Sequence, residues 1–353
     1  MTDALLLESA TRALSDTCTH EAIQAAERDG WASGIWERVA RVGLPLLSLP
    51  EDAGGAGGSL EEALAVLRIA GRHAAPIPLA EAGLLAGWLL SGAGFKLDEG
   101  LATVVPGRPE DSIALAGAAV AGTAHRVPWA RSAERIVAVL ETDAGCVVVA
   151  VPASGVRIEP AVNLAGEPRD TVVFDGRTAA EVRPAGVGVD PEALRFRGAL
   201  TRVMLMAGAL DRMSLMTIAY THERIQFGRP VAQFQAVQQH LVSIAQEAAL
   251  VGMAADQVAR ACALGPARFE IAAAKLLANR AAHSATRWAH QAHGAMGMTQ
   301  EYPLHQLTRR LWSWRSEYGD DAHWSLRLGT AVAAAGADNL YPVIAGGSDV
   351  VRL

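Results

Sequence analysis

Cysteine is nearly absent: Cys18, Cys146 and Cys262 are three in 353 residues, odd in number and far apart. That count excludes a disulfide framework and a cysteine zinc site, and fits free thiols in a reducing compartment. A basic excess is lacking as well. The 31 Lys and Arg stand against 37 Asp and Glu, a net charge of −6 spread without long blocks. Nucleic-acid binding as the main function needs a concentrated basic face and is set aside. A few placed arginines can still hold an anionic cofactor. Long apolar runs are missing too, since the longest uncharged apolar run, 82–95, has two glycines near its end and is too short to span a bilayer. The opening MTDALLLESATRALSD has acids where a secretory leader has a basic region and an apolar core. The expectation is a cytoplasmic protein with no membrane span and no nucleic-acid partner. There is no Gly-x-Ser-x-Gly elbow, which argues against a serine hydrolase. His290 and His293 share a helix, but no Cys or carboxylate at ligand spacing accompanies them, so no metal site is expected.

What is present divides the chain into three parts. With 51% hydrophobic and 19% charged residues the chain is far from a disordered composition. Residues 1–105 are rich in Ala and Leu, with helix-period spacing in 4–14, 22–42 and 59–74. Ser59 followed by Glu62 is a capping-box pattern that starts a helix. From 106 to 188 the character changes. The segments 113–120, 135–140, 146–151, 156–160 and 171–174 are short, rich in Val and Ile, and separated by Gly, Pro, Asp and Asn, which predicts a small antiparallel sheet or barrel. From 189 to 353 the helix period returns, and in 235–263 Val237, Leu241, Ile244, Ala248 and Val251 fall on one face. The fold class is α+β, mainly α: an N-terminal helical domain, a small middle β domain and a C-terminal helical bundle.

Two segments carry chemistry. Arg224-Ile225-Gln226-Phe227-Gly228-Arg229-Pro230, with Phe234-Gln235 following, lies between two long helices. An arginine fork at one helix end and free N–H groups at the start of the next suit a phosphate. The plainer alternative is a helix hairpin whose arginine caps carbonyls. The second segment runs from Gln291 through Gly294 and Gly297 to Glu301-Tyr302-Pro303-Leu304. Its Gly-x-x-Gly turn lets backbone approach a flat or phosphorylated ligand, and an ordinary turn is again the alternative. Trp312, Trp314 and Trp324 read as core or interface packing. Asp320 and Asp321 read as acids at a helix start.

Together these segments resemble the acyl-CoA dehydrogenase family of flavoproteins. Leu49-Pro50-Glu51, Gly54-Gly55 and Gly57, followed by Glu61-Glu62, resemble its N-terminal domain, and the helical, β, helical order agrees along nearly the whole chain. The resemblance implies a C-terminal four-helix bundle, FAD as cofactor and α,β-dehydrogenation of an acyl-CoA. It further implies a place in fatty acid metabolism and an electron-transfer flavoprotein as acceptor. It assigns Arg224, Gln226, Phe227, Gln235, Gln291, Gly294 and Gly297 to the pyrophosphate and adenine half of a flavin shared between subunits. The chain would then work as a homo-oligomer or with a homologous subunit. Arg197 and Arg202 are candidate contacts to the CoA phosphates.

The departures concern the α-proton base. Counting from Tyr302-Pro303, the family's loop glutamate falls at Tyr318, before Gly319, with Glu317 one residue away; the alternative helix position falls at Gly198. Glu317 is therefore the candidate base. The strand that relatives place against the flavin reads His125-Arg126-Val127-Pro128-Trp129 here. Two alternatives stay open: a non-catalytic partner subunit of a heteromeric acyl-CoA dehydrogenase, and a flavin-dependent monooxygenase or oxidase on the same fold.

Overall fold

The structure, a computed structural model, describes residues 3–97, 100–117, 119–347 and 353. The chain opens with α1 (Ala4–Thr17), α2 (His20–Asp29) and α3 (Ser33–Arg41). The single helix expected over 22–42 is thus two. Gly30 caps α2 at φ +75, a left-handed conformation that ends the helix. α4 (Leu60–Arg72) begins with the expected capping box. Ser59 N–H donates to Glu62 Oε2 at 2.8 Å, and Glu62 N–H donates to Ser59 Oγ at 3.2 Å. The segment Ala80–Gly87 is π-helical and buried throughout, and runs into α5 (Trp88–Gly92). Apart from the buried Glu81 its residues are apolar, so periodicity carries little signal there.

Eight strands follow: β1 (Ala102–Val104), β2 (Ser112–Ala116), β3 (Ala119–Pro128), β4 (Arg135–Thr142), β5 (Gly145–Pro152), β6 (Arg157–Glu159), β7 (Arg169–Ala179) and β8 (Glu181–Pro184). They form two four-stranded sheets, ordered β1-β4-β5-β8 and β2-β3-β7-β6. The pairing is antiparallel except for β1 with β4, which is parallel. Val120, Val127, Ile136, Val149, Val172 and Phe174 belong to one shared core. β1 and β8 are not among the expected segments. A bulge between Ala124 and Val127 leaves Arg126 at φ +54.

The remainder is helical: α6 (Pro191–Glu223), a small hairpin of β9 (Ile225–Gln226) and β10 (Arg229–Pro230), then α7 (Gln235–Leu264), α8 (Arg268–His293), α9 (Leu304–Trp314), α10 (Asp321–Ala335) and α11 (Leu340–Gly346). α6 is long and apolar enough to cross a membrane by composition, but 61% of its most apolar window is buried inside the protein. Asp320 caps α10 by accepting from His323 N–H at 2.9 Å. Trp314 and Trp324 are buried, and the half-exposed Trp312 donates its indole N–H to Thr286 Oγ1 at 3.1 Å.

The chain divides into two compact units, residues 1–66 with 76–198 and residues 67–75 with 199–353. In the second, the end of α4 crosses α6 at backbone contact. A Cβ on Gly71 would lie 2.1 Å from Leu205 O, and one on Gly208 would lie 1.9 Å from Arg68 O. No methyl group fits at such a distance, so Gly208→Ala must push the helices apart. Overpacking of this kind costs about 1–3 kcal/mol, and the melting temperature should fall by roughly 2–12 °C. Circular dichroism melting checks it; a transition unchanged from wild type refutes the close crossing.

Candidate functional site

The first motif is a strained, solvent-facing hairpin. Gln226 pairs with Arg229, and the two residues between them, Phe227 and Gly228, take φ +53 and +78. Two positive φ values in succession make a type I′ turn, natural for glycine and costly for a bulky side chain. Phe227 is also 92% exposed. A ring held in a disfavoured conformation and left in water has no role in the chain's own core, which points to a ligand or partner. Phe234 meets it edge-on at 6.0 Å, and the Arg229 guanidinium lies 4.2 Å from the centre of the Phe234 ring. Arg224, Gln226 and Gln235 are exposed, and no side-chain partner holds the Arg224 guanidinium among the described residues. Gln226 Nε2 donates only to the neighbouring Ile225 O, at 2.7 Å. Phe234 precedes α7 and offers no side-chain cap, so the N–H groups of Gln235 and Ala236 are available to an anion, while those of Val237 and Gln238 donate to Phe234 O.

The second motif ends α8. Gly294 takes φ +60, and a Cβ on Gly297 would lie 2.7 Å from the His293 Cβ, so both positions demand glycine. Gln291 is exposed beside them. An aromatic cluster joins the two motifs. Tyr220, in the last turn of α6, stacks on His293 at 4.5 Å and meets Tyr302 edge-on at 5.3 Å. Its hydroxyl donates to His293 O at 3.3 Å. His293 is 3% exposed and pairs Nδ1 with Ala289 O at 2.8 Å. Burial pulls its pKa below the ordinary histidine value, so the imidazole is neutral. His290 pairs with Thr308 Oγ1 at 3.0 Å. The two histidines therefore fasten the turn to its surroundings. This cluster was missed in the sequence, where Tyr220, four residues before Arg224, was the available signal.

The region around the candidate base brings together residues expected in separate roles. Arg202 was expected at a CoA phosphate. It is instead 1% exposed, and its Nε donates to Glu317 Oε2 at 2.6 Å. Its guanidinium also lies 5.2 Å from the Tyr318 ring centre. Arg197 belongs to the other compact unit, where its Nε donates to Leu84 O at 2.6 Å and its guanidinium covers the Trp88 ring. Neither arginine offers a solvent-facing fork, because burial and local partners occupy both. Tyr318 is buried at φ +54, next to Gly319 at φ +105. Gly198 lies in α6 and brings no side chain.

An adenine dinucleotide asks for a cationic and N–H cradle at its pyrophosphate and for a flat, exposed surface. Arg224, the uncapped start of α7 and Phe227 supply these on the second unit. In the β domain His125 is held by Asp111, with its N–H at 2.7 Å from Oδ1, and Trp129 is buried beneath Arg169. The features that fit a flavin nucleotide are thus those of its adenine half.

Fold and turns together define a class: a protein of helices, two small sheets and a long-helix bundle, with two glycine-bearing turns open to a ligand. Residues 192–322 match the family described as acyl-CoA dehydrogenase, C-terminal domain. The acyl-CoA dehydrogenase IpdE2 of Mycolicibacterium smegmatis is 28% identical over 314 residues, covering 87% of this chain and 91% of its own. The ChsE4-ChsE5 complex of Mycobacterium tuberculosis has a chain of the same fold, with TM-score 0.82, 23% identity and coverage of 94% of this chain and 98% of that one. PigA, solved with FAD and proline, shares the fold at TM-score 0.80 and 15% identity, over 94% of this chain and 97% of its own. Over residues 192–322 the chain is similar to the acyl-CoA dehydrogenase family, and its fold is the one these solved structures share.

Proposed function

We propose that this chain is an FAD-dependent oxidoreductase that introduces an α,β double bond into an acyl-CoA thioester. The observation that carries this reading is the pair of turns joined by Tyr220, His293 and Tyr302, with Arg224 and a strained Phe227 held open to solvent. Bound there, FAD supplies the hydride acceptor. Arg224 and the first amides of α7 face the pyrophosphate, Phe227 and Gln235 the adenine, and Gln291 with Gly294 and Gly297 close the same end. Glu317 is the carboxylate that takes the α-proton. An electron-transfer flavoprotein is the acceptor we assign, and the cytoplasm and fatty acid metabolism are the setting we infer from composition and family. Phe227, exposed in the single chain, supports assembly into an oligomer that shares the cofactor.

A second reading is favoured by one observation: Glu317 is already engaged by the buried Arg202, and Tyr318 stands at the position of the family's loop glutamate. In that reading the chain lends Arg224, Phe227 and Gln235 to a flavin held by a homologous, catalytic chain. The ChsE4-ChsE5 complex has a chain of the same fold as this one.

The protein, purified with any co-expressed homologous chain, should show flavin absorbance that bleaches when acyl-CoA is added without oxygen. Arg224→Ala removes a charge-assisted contact worth about 1.5–3 kcal/mol, so FAD should bind roughly 10–150-fold more weakly. Full flavin occupancy of that variant after gel filtration refutes the site, and absence of flavin from the wild-type protein, purified alone and with a homologous chain, refutes the function.

A further inference from the structure

Lys275, with Asn279 one turn on, interrupts a buried and otherwise apolar face of α8. Ile271, Ala272, Ala274, Ala278, Ala281 and Ala282 are buried on either side of it. Its own side chain is wholly buried. Burying an ammonium is unfavourable unless each proton meets an acceptor. Four oxygens surround Nζ here: Asn279 Oδ1 at 2.6 Å, Arg315 O and Gly319 O at 3.1 Å, and Trp314 O at 3.2 Å. Three are main-chain carbonyls at the end of α9 and in the turn beyond it, where a helix presents its negative pole.

Those carbonyls bracket Glu317. Arg315 precedes it by two residues and Gly319 follows it by two. The N–H of Glu317 donates to Trp314 O at 3.2 Å, a carbonyl that Lys275 also holds. Within the bracket Tyr318 and Gly319 take φ +54 and +105 in succession. Such backbone persists only where its surroundings over-determine it. A methionine would fill the same volume without desolvating a charge, so packing does not account for a lysine at this position.

We propose that Lys275 is a positioning residue for Glu317: from α8 it holds the carbonyls on both sides of that residue and so fixes the carboxylate against Arg202. The catalytic meaning of this rests on Glu317 being the proton acceptor; the ordering of the turn does not. Charged groups face Lys275 from two elements. Glu317, Asp320 and Asp321, in the turn and at the start of α10, favour the ammonium, while Arg202 on α6 opposes it. Burial outweighs them and brings the Lys275 pKa down to about 7. The cage therefore loses a proton, and one donor, as pH rises through neutrality.

The test is amide hydrogen exchange on the full-length holoprotein, comparing wild type with Lys275→Met. Exchange in 315–321 should rise about tenfold or more while peptides from α7 stay within about twofold. If catalysis is measurable, kcat should fall with KM little changed. Unaltered protection of 315–321, or a loss spread evenly over α6, α7 and α8, overturns the proposal. Should Lys275→Met fail to fold, wild type followed from pH 6 to 9 gives the answer. Protection of 315–321, corrected for intrinsic rate and divided by that of α7, should fall as Lys275 deprotonates; a flat ratio overturns the proposal. Because exchange is read without turnover, a chain inactive alone but showing the local loosening keeps the positioning role and removes only the catalytic reading of Glu317.

Discussion

Glu317→Gln, folded and loaded with flavin, should turn over acyl-CoA at roughly one hundredth of the wild-type rate or less. Removing a proton α to a thioester needs a base within hydrogen-bond reach, and glutamine keeps the size of glutamate while losing its basicity. The nearby alternatives are weak. Tyr318 is buried and carries a phenol in place of a carboxylate. Gly198, at the other family position, has no side chain. The measurement is initial rate with an artificial electron acceptor across acyl-CoAs of different chain length. Circular dichroism must show the variant folded, since it leaves Arg202 and Lys275 as buried cations without their carboxylate. Near-complete activity in the variant places the base elsewhere. Wild type that stays silent until a homologous chain is added establishes the partner-subunit reading.

Local signals in the sequence translated well into structure. Ser59 and Glu62 form the capping box their spacing announces, because both partners lie within one turn. Asp320 caps α10 for the same reason. The Arg224–Gln235 and Gln291–Leu304 segments are legible as turns, since glycine and proline restrict backbone whatever surrounds them. The break at Gly30 was missed because a single glycine inside a helical period is tolerated and does not by itself mark an end. The π-helix over 80–87 was missed because its uniform burial erases any periodicity. At the site, sequence separation decided the outcome. Arg202 and Glu317 lie 115 residues apart, and only the packing of α6 beside the α9–α10 turn joins them. Arg197 and Arg202 were candidate contacts to the CoA phosphates from their register against the family, and their burial and local partners cannot be seen in spacing. Lys275 was invisible for a related reason: its acceptors are main-chain carbonyls, which every residue has.

Arg202→Met should lower the melting transition by roughly 6–20 °C, corresponding to about 3–5 kcal/mol for removing one partner of a buried ion pair. The site meets the conditions for that effect. Arg202 is 1% exposed, and the Glu317 side chain, at 16%, has little water to replace the lost guanidinium. Methionine fills much of the arginine stem's volume, so the loss reports the charge and its hydrogen bond more than a cavity. The same change uncovers the Tyr318 ring, whose positive φ depends on the packing above it. The double variant Arg202→Met/Glu317→Gln separates these contributions. Removing both charges relieves the uncompensated carboxylate, so the double variant should melt above Arg202→Met alone, by an amount equivalent to a coupling of about 0.5–3 kcal/mol. Calorimetric melting of the four proteins measures the cycle. If Arg202→Met melts with wild type, the ion pair is dispensable for the fold. If the double variant melts no higher than the single one, the loss comes from Tyr318 and the arginine stem, and Glu317 does not depend on Arg202 for its place.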